Sequence, residues 1–216
     1  YVARARALLD EEPRDADRYF TLGLAQSEQD MEGAIVSFRT VLELAPRHTL
    51  ARYNLALVLR RADRLTEARA ELERALAIEP RPEAYYTMGV IYWHQGKLDR
   101  AVSALRAAVA ADPKYADAHA TLGSVLKEER DWTGASASLR RAIAIRPDVP
   151  ASHYTLGQVL QLSGDDRGAR TAQRLDEVRR ADNSASTEAG HEAIRFCVVR
   201  AGDGDVAARG GSDLVA

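Results

Sequence analysis

The side chains that could do chemistry are few and stand far apart in the sequence. There are five histidines and a single cysteine, Cys197. His119 and His153 are the pair with a regular relation, because 34 residues separate them. On equivalent positions of two stacked helices their rings would lie about 8–10 Å or more apart, which is too far to share a metal ion. The spacing therefore favours two buried structural histidines over a metal site.

No sequence motif of a catalytic centre is present. The glycine-rich stretch at 202–211 follows no strand, so it does not match a phosphate-binding loop, and neither HExxH nor G-x-S-x-G occurs. The acidic run at 128–131 is expected at a turn between helices, as solvated charge. Cys197 has no histidine or asparagine partner in a recognisable motif. We therefore predict no catalytic residues, no metal site and no cofactor.

The elements that carry these residues are indicated by four prolines, Pro46, Pro80, Pro113 and Pro147, which are separated by 34, 33 and 34 residues. Self-similarity at this period is typical of stacked helical-repeat proteins. Each unit shows apolar residues spaced by three and four, so each is expected to form two short amphipathic helices. Each proline ends one helix and sets the turn into the next.

Aligned on the prolines, the units share a Leu-Gly or similar pair and a small residue further on. The pairs are Leu22–Gly23, Leu55–Ala56, Met88–Gly89, Leu122–Gly123 and Leu156–Gly157, and the later alanines are Ala34, Ala68, Ala101, Ala135 and Ala169. This pattern resembles the tetratricopeptide repeat, W-x2-L-G-x2-Y followed by A-x3-F and then P. The repetition carries the resemblance, since any single copy matches weakly.

The resemblance implies an all-α fold, a right-handed superhelical solenoid of antiparallel helix-turn-helix repeats. The expected solenoid covers 1–181: a partial repeat at 1–13 and then repeats at about 15–47, 48–81, 82–114, 115–148 and 149–181. Residues 182–216 are expected to form a linker and a poorly ordered tail, with a degenerate further hairpin as the alternative. The small residues allow two helix backbones to approach closely, and a bulky side chain there would cost about 1–3 kcal/mol.

In this family the first helix of each unit lines the concave face, where peptides bind. Carried over by position, this implies a peptide-binding surface with two rows and some further residues. The hydrogen-bonding row is Thr21, Asn54, Thr87, Thr121 and Thr155; the aromatic row is Phe20, Tyr53, Tyr86 and Tyr154; the further residues are Val90, Trp93, Ser124 and Gln158.

Both rows have a structural alternative. The hydroxyl and amide groups can bond the carbonyls of their own helix, which is the interpretation we favour. The aromatic rings can instead pack between repeats, and the sequence favours this interpretation and peptide docking equally. The paired cations of a chaperone-type carboxylate clamp are missing from the neighbouring columns, so we expect no binding of acidic C-terminal tails of that type.

The resulting functional prediction is a non-catalytic protein-interaction scaffold that binds an extended or helical peptide of a partner protein on the concave face. The alternative is the targeting or regulatory arm of a larger enzyme, such as a glycosyltransferase, whose catalytic domain is not part of this chain. Self-association is a third option, because an unfinished solenoid end exposes apolar surface.

Composition limits the partners further. The net charge is −2 and the isoelectric point about 6.3, without the clustered basic residues of a nucleic-acid-binding face, so no nucleic acid is expected. No stretch of 18 apolar residues exists to predict a membrane span. The chain begins inside a repeat with no visible signal peptide, which indicates a fragment of a longer protein. The compartment is therefore left open, with the cytoplasm as the default.

Overall fold

The computed structural model of the chain describes residues 15–165, and this part contains nine α-helices and no strand. The helices are α1 Ala16–Gln26, α2 Met31–Leu44, α3 Thr49–Arg61, α4 Leu65–Ile78, α5 Pro82–His94, α6 Leu98–Ala111, α7 Ala116–Glu128, α8 Trp132–Ile145 and α9 Pro150–Leu162. The predicted all-α helical-repeat fold is confirmed here. The partial repeat at 1–13, the second helix of the fifth unit and the tail at 182–216 lie outside the described residues, so those boundaries stay predictions.

The helices stack in the order of the chain. Each odd-numbered helix pairs with the following even-numbered one, and each pair packs against the next through α2 with α3, α4 with α5, α6 with α7 and α8 with α9. The first helices α3, α5, α7 and α9 also contact one another from pair to pair, whereas the second helices described here have no comparable contact. The stack therefore bends with its first helices on the inner side.

The two helices of a pair approach closely where the sequence places its small residues. A β-carbon built on Gly89 would lie 2.7 Å from Leu105 Cγ, and one on Gly123 would lie 2.5 Å from Leu139 Cγ. Leu105 and Leu139 belong to the partner helix of each pair and are fully buried. The alanines at 34, 68, 101 and 135 are fully buried as well. Large side chains of one helix therefore fill the space that small residues of the other leave open.

The turns inside three successive pairs, and the turn that follows α9, share one backbone conformation. Asp63, Gly96, Arg130 and Gly164 have φ values of 58°, 68°, 63° and 82°, in the left-handed region. At these four helix ends the amide three positions past the last helical residue bonds a carbonyl five residues earlier, as in Lys97 N–H to Tyr92 O at 2.9 Å. This is a Schellman-type helix end, which satisfies carbonyls that the helix leaves unpaired. In the first pair Gly23 and Ala34 are 11 residues apart, against 12 for Gly89 and Ala101, and Asp30 N–H bonds Gln26 O at 2.8 Å, four residues earlier.

The column that carries a large aromatic in the family has a polar structural role here. His119 Nε2 lies 3.2 Å from Pro113 O, and His153 Nε2 lies 3.0 Å from Pro147 O, so each ring nitrogen donates to the carbonyl of the preceding repeat proline. Arg52 occupies the same column and donates to Pro46 O at 2.7 Å. The two histidines are thus held by separate carbonyls, as expected for structural residues.

Gly89→Leu tests the close approach of α5 and α6. The added side chain must displace Leu105 or separate the helices, so we expect the free energy of unfolding to fall by about 1–3 kcal/mol. Chemical denaturation followed by circular dichroism measures the change. Ala137→Leu, at an exposed position of α8, adds the same side chain without a clash and should change little. Equal stability of Gly89→Leu and the original chain would contradict the packing argument.

Gly96→Ala tests the turn. No atom lies within 4 Å of the β-carbon position, so the substitution acts only through the positive φ and should cost about 1 kcal/mol of stability. Arg130→Ala is the matched control, because it keeps a β-carbon at the equivalent positive φ, and it should be close to neutral. If both variants lose the same stability, the backbone conformation of the turn is not the cause.

Candidate functional site

The inner side of the stack forms a groove that we call the inner groove, built by α1, α3, α5, α7 and α9. On α5, Glu83, Tyr86, Val90 and Trp93 are spaced by three, four and three residues, which places them on one helix face. Between helices, Lys127 Nζ on α7 donates to Gln158 Oε1 on α9 at 3.0 Å. This hydrogen bond links two successive first helices side by side.

The predicted row of hydrogen-bonding residues bonds mainly within its own helices. Four side chains donate to the carbonyl four residues earlier: Thr21 to Asp17 at 2.9 Å, Asn54 to Leu50 at 2.8 Å, Thr87 to Glu83 at 2.8 Å and Thr155 to Ala151 at 2.8 Å. Ser124 bonds Ala120 in the same way, at 3.2 Å, and Thr121 is half-buried. Thr87 is only 4% exposed and offers no hydroxyl to a ligand. A hydroxyl has one hydrogen, so the threonines and Ser124 retain acceptor positions only, whereas the Asn54 amide retains one N–H donor and its oxygen acceptor.

The aromatic row combines packing with partial exposure. The Phe20 ring lies 5.8 Å from the Phe38 ring and 5.0 Å from His48, Tyr53 packs against the core of the first three pairs, and Tyr86 packs against the core of the later pairs. These three residues are half-buried, while Tyr154 is 56% exposed. Val90, Trp93 and Gln158 are half-buried too. Each ring thus has one side in the core and another toward the groove.

Sequence reasoning missed Tyr115, which lies just before α7. Its ring centroid is 5.2 Å from that of Tyr86. The equivalent contact two repeats earlier in the chain joins His48 to Phe20, with ring centroids 5.0 Å apart. Tyr115 and His48 each follow a repeat proline by two residues, and that shared position was the signal available in the sequence. Both residues connect a first helix to the start of the next one.

Tyr115 sits among hydroxyl and carboxylate groups from several pairs. Burial raises the pKa of Tyr115, and the nearby Tyr53 and Tyr86 hydroxyls and Asp117 and Glu83 carboxylates raise it further. The neighbouring charges and the loss of solvent both disfavour the phenolate. This edge of the groove, at the N-terminal ends of the first helices, therefore resists added negative charge.

The C-terminal ends of the first helices carry residues of both charges, since α7 ends with Lys127 and Glu128. Arg60, Arg61 and Lys127 lie in the last turns of α3 and α7. There they complement the negative ends of the helix dipoles. Arg61 also donates to Ser27 O of the first pair at 2.7 Å, which ties neighbouring helix ends together.

A second cavity, of about 470 Å³, lies on the outer side between α2, α3 and α4. Its charged groups are paired with one another: Arg39 with Glu67 at 2.9 Å, Arg52 with Glu71 at 2.7 Å, and Arg74 with Glu71 at 2.5 Å. Hydrogen bonding from Arg64, with its charge and that of Arg39, lowers the pKa of Glu67. Paired charges leave this cavity without a chemical preference for a ligand.

Within residues 15–165, no cluster of three or more histidine, cysteine, aspartate or glutamate side chains is arranged to hold a metal ion. In the same region, no helix combines the length and the apolar character needed to cross a membrane. The inner groove is accordingly the candidate functional surface.

Comparisons with known proteins agree with the geometry. A sequence model of the tetratricopeptide repeat matches residues 67–116 and 86–150, and a second model of this repeat matches residues 25–89. No curated protein sequence matches the chain.

Solved structures share the fold. The MamA protein superimposes with a TM-score of 0.72 at 21% identity, over 79% of this chain and 94% of its own. YrrB, described as a TPR protein with an unusual peptide-binding site, gives 0.69 at 18% identity, over 88% of this chain and 100% of its own. PilF of Pseudomonas aeruginosa gives 0.67 at 23% identity, over 78% of each chain. At these identities the likeness concerns the fold.

The environment of Tyr115 predicts a pH dependence of stability. The folded-state pKa of Tyr115 lies above the ordinary value near 10. The stabilisation that the folded state gains from the protonated phenol is therefore complete below about pH 10 and is lost as the pH rises toward the folded-state pKa. The free energy of unfolding should therefore decline above about pH 10, and less steeply in Tyr115→Phe. Urea denaturation across this pH range measures both slopes. Tyr154→Phe removes an exposed phenol as the control, and equal slopes for Tyr115→Phe and the original chain would contradict the assignment.

Proposed function

The chain belongs to the tetratricopeptide repeat family, and from this premise we propose that it is a non-catalytic scaffold whose inner groove binds an extended segment of a partner protein. Proteins of this family bind protein or peptide partners, and the groove is the surface on which that role falls here. The observation that carries the proposal is apolar exposure inside the groove. Leu24, Leu50 and Tyr154 are 45%, 41% and 56% exposed on three different first helices.

Large apolar side chains grouped on one concave surface mark a binding site more than isolated exposed residues do. Met31, Val36 and Leu44 on α2 and Leu162 at the end of α9 are exposed outside the groove, whereas we assign Leu24 on α1, Leu50 on α3 and Tyr154 on α9 to its surface. Between them lie the half-buried rings of Tyr53, Tyr86 and Trp93. A bound segment would cover the exposed sides of these residues, and burial at about 25 cal/mol per Å² would stabilise the complex.

The half-buried rings are well suited to such contacts. Phe20, Tyr53 and Tyr86 are already held by packing on one side, so little side-chain entropy is lost when a ligand covers the other side. Tyrosine adds a hydroxyl that can bond a peptide backbone. The hydroxyl row contributes acceptors at Thr21, Asn54 and Thr155, and we leave Thr87 out of the proposed site because it is buried.

A structural relative supports the proposal. YrrB, which shares the fold over its whole length, is described as having an unusual peptide-binding site. The property is that of YrrB, and its bearing on this chain is that the same helical scaffold can present a peptide site. The identity of 18% leaves the residues of the groove to be judged from their own chemistry.

Tyr154→Ala tests the groove with the least disturbance of the fold. The purified full chain is applied to an array of varied extended peptides, and affinities of the bound peptides are measured by fluorescence anisotropy. We expect Tyr154→Ala to weaken binding about tenfold, the effect of removing a large aromatic contact. A combined Tyr53→Ala and Tyr86→Ala variant should lose more affinity, and its thermal unfolding is measured because both rings also pack in the core.

The control carries Arg140→Ala and Arg141→Ala, which remove two exposed arginines from α8 on the outer side. It should bind the peptides as the original chain does. An equal loss of affinity in the arginine variant and in Tyr154→Ala would place the binding surface outside the groove and contradict the proposed function.

A further inference from the structure

The last groove position of each first helix forms a row along the C-terminal side of the inner groove. On α5 the groove face ends at Trp93. The face of α3 repeats the spacing of three, four and three residues and consists of Leu50, Tyr53, Leu57 and Arg60. Arg60 is therefore the equivalent of Trp93, and Lys127 is the equivalent on α7. A guanidinium, an indole and an ammonium thus follow one another on three successive first helices.

Arg60 differs from the other half-buried arginines in its lack of a partner. Between residues 15 and 165 the half-buried arginines are Arg18, Arg52, Arg60, Arg64, Arg69 and Arg81. All of them except Arg60 form an ion pair with a carboxylate. Arg60 Nε is shielded from solvent and donates no hydrogen bond within the described residues. Folding has therefore partly removed this cation from water without supplying an acceptor, which costs free energy.

The equivalent cation on α7 shows which contact Arg60 lacks. Lys127 Nζ donates to Gln158 Oε1 on the next first helix at 3.0 Å. On the helix next to Arg60, the position equivalent to Gln158 is Val90, whose side chain has no acceptor. Asp63 is exposed, and its hydrogen bond with Arg60 joins the two backbones, from Asp63 N–H to Arg60 O at 3.1 Å. The terminal nitrogens of Arg60 are therefore available to an acceptor on a bound ligand.

A carboxylate is the acceptor that fits this guanidinium. The planar guanidinium presents parallel N–H groups that match the two oxygens of a carboxylate. One unpaired guanidinium also offers one positive charge, which equals the charge of one aspartate or glutamate side chain. Val90 and Trp93 on the next first helix are half-buried and largely apolar. Charges attract more strongly where such neighbours exclude part of the water, so a carboxylate at Arg60 is stabilised more than one on an exposed arginine.

We propose that Arg60 receives the carboxylate of an aspartate or glutamate side chain in the segment that binds the inner groove. The proposal rests on the proposed function and adds the chemical class of one ligand residue to it. This carboxylate belongs to a side chain within the segment, so it differs from the chain-terminal carboxylate that a chaperone-type clamp holds. Affinity follows from the apolar groove, and Arg60 adds a preference for an acidic residue beside the C-terminal end of α3.

The test uses the tightest-binding peptide of the array, acetylated, amidated and labelled, with glutamate, glutamine or lysine placed at each position in turn. Glutamine has nearly the shape of glutamate without its charge. Fluorescence anisotropy with the full chain measures each affinity. We expect one position at which the glutamate peptide binds about tenfold more tightly than the glutamine peptide, and the lysine peptide binds most weakly. The net charge of −2 opposes a general preference for acidic peptides, so a preference at one position indicates a local cation.

Arg60→Gln should bring the ratio of the glutamate to the glutamine affinity close to one at that position, while glutamine binding is nearly unchanged. Arg60→Lys keeps the charge without the planar fork and should retain part of the preference. Arg106→Gln is the matched control, because Arg106 lies exposed on α6 and its removal changes the net charge equally outside the groove. Raising the salt concentration should reduce the preference of the original chain and leave the ratio of Arg60→Gln unaffected. A ratio that falls equally in Arg106→Gln would show a general charge effect and overturn the inference.

The outcomes separate the inference from the proposed function. Equal binding of the glutamate and glutamine peptides at every position, with affinity still lost in Tyr154→Ala, would overturn the acidic preference and leave the groove as a peptide site. Absence of binding by every peptide would overturn both. Sedimented mass that grows with protein concentration and falls when peptide is added would show a second copy of the chain in the groove, which also overturns an acidic partner segment as its occupant.

Discussion

The whole structure depends on close contact between two helix backbones within each pair. Helices of 11 to 14 residues are marginal in water, so each one is stable only when its apolar side is covered by its partner and by the next pair. Gly89 and Gly123 leave room for Leu105 and Leu139, and the fully buried alanines allow the same approach from the other helix. Because each described pair packs on the next one along the chain, a change at one contact affects the coupling along the stack.

Polar contacts set the repeat geometry without a constant residue type. Three residues before the Leu-Gly or Leu-Ala pair, three repeats have Arg52, His119 and His153. Each of these side chains donates a hydrogen bond to the carbonyl of the preceding repeat proline. The feature that recurs is a side-chain hydrogen-bond donor long enough to reach the carbonyl of the repeat proline. This explains why two histidines appear at equivalent positions: the backbone carbonyl needs a donor, and imidazole or guanidinium supplies it.

The helices, their pairing and the small-residue columns could be predicted from the sequence because they depend on local periodicity and on one repeated contact. The self-bonded row at Thr21, Asn54 and Thr155 was also the favoured interpretation, since short hydroxyl and amide side chains in helices commonly bond the preceding turn. Burial of Thr87 was not foreseen, because the position is the same as that of its exposed counterparts and only its neighbours differ. The contact of Tyr115 with Tyr86 was missed for a related reason. The two residues are 29 positions apart and belong to successive pairs, so no pattern within one repeat contains their contact.

Packing and ligand binding by the aromatic row are compatible, and the geometry explains why. A ring such as Tyr86 contacts Tyr115 and the core with one side, which fixes its rotamer, and its remaining side is open to the groove. A side chain that is already fixed loses little entropy on binding, so residues that stabilise the stack are also effective ligand contacts. The same stacking places Glu83 and Asp117, from the first turns of α5 and α7, at the N-terminal ends of successive first helices, where the helix dipoles favour carboxylates. The parallel arrangement of the first helices therefore repeats the same end chemistry from one pair to the next.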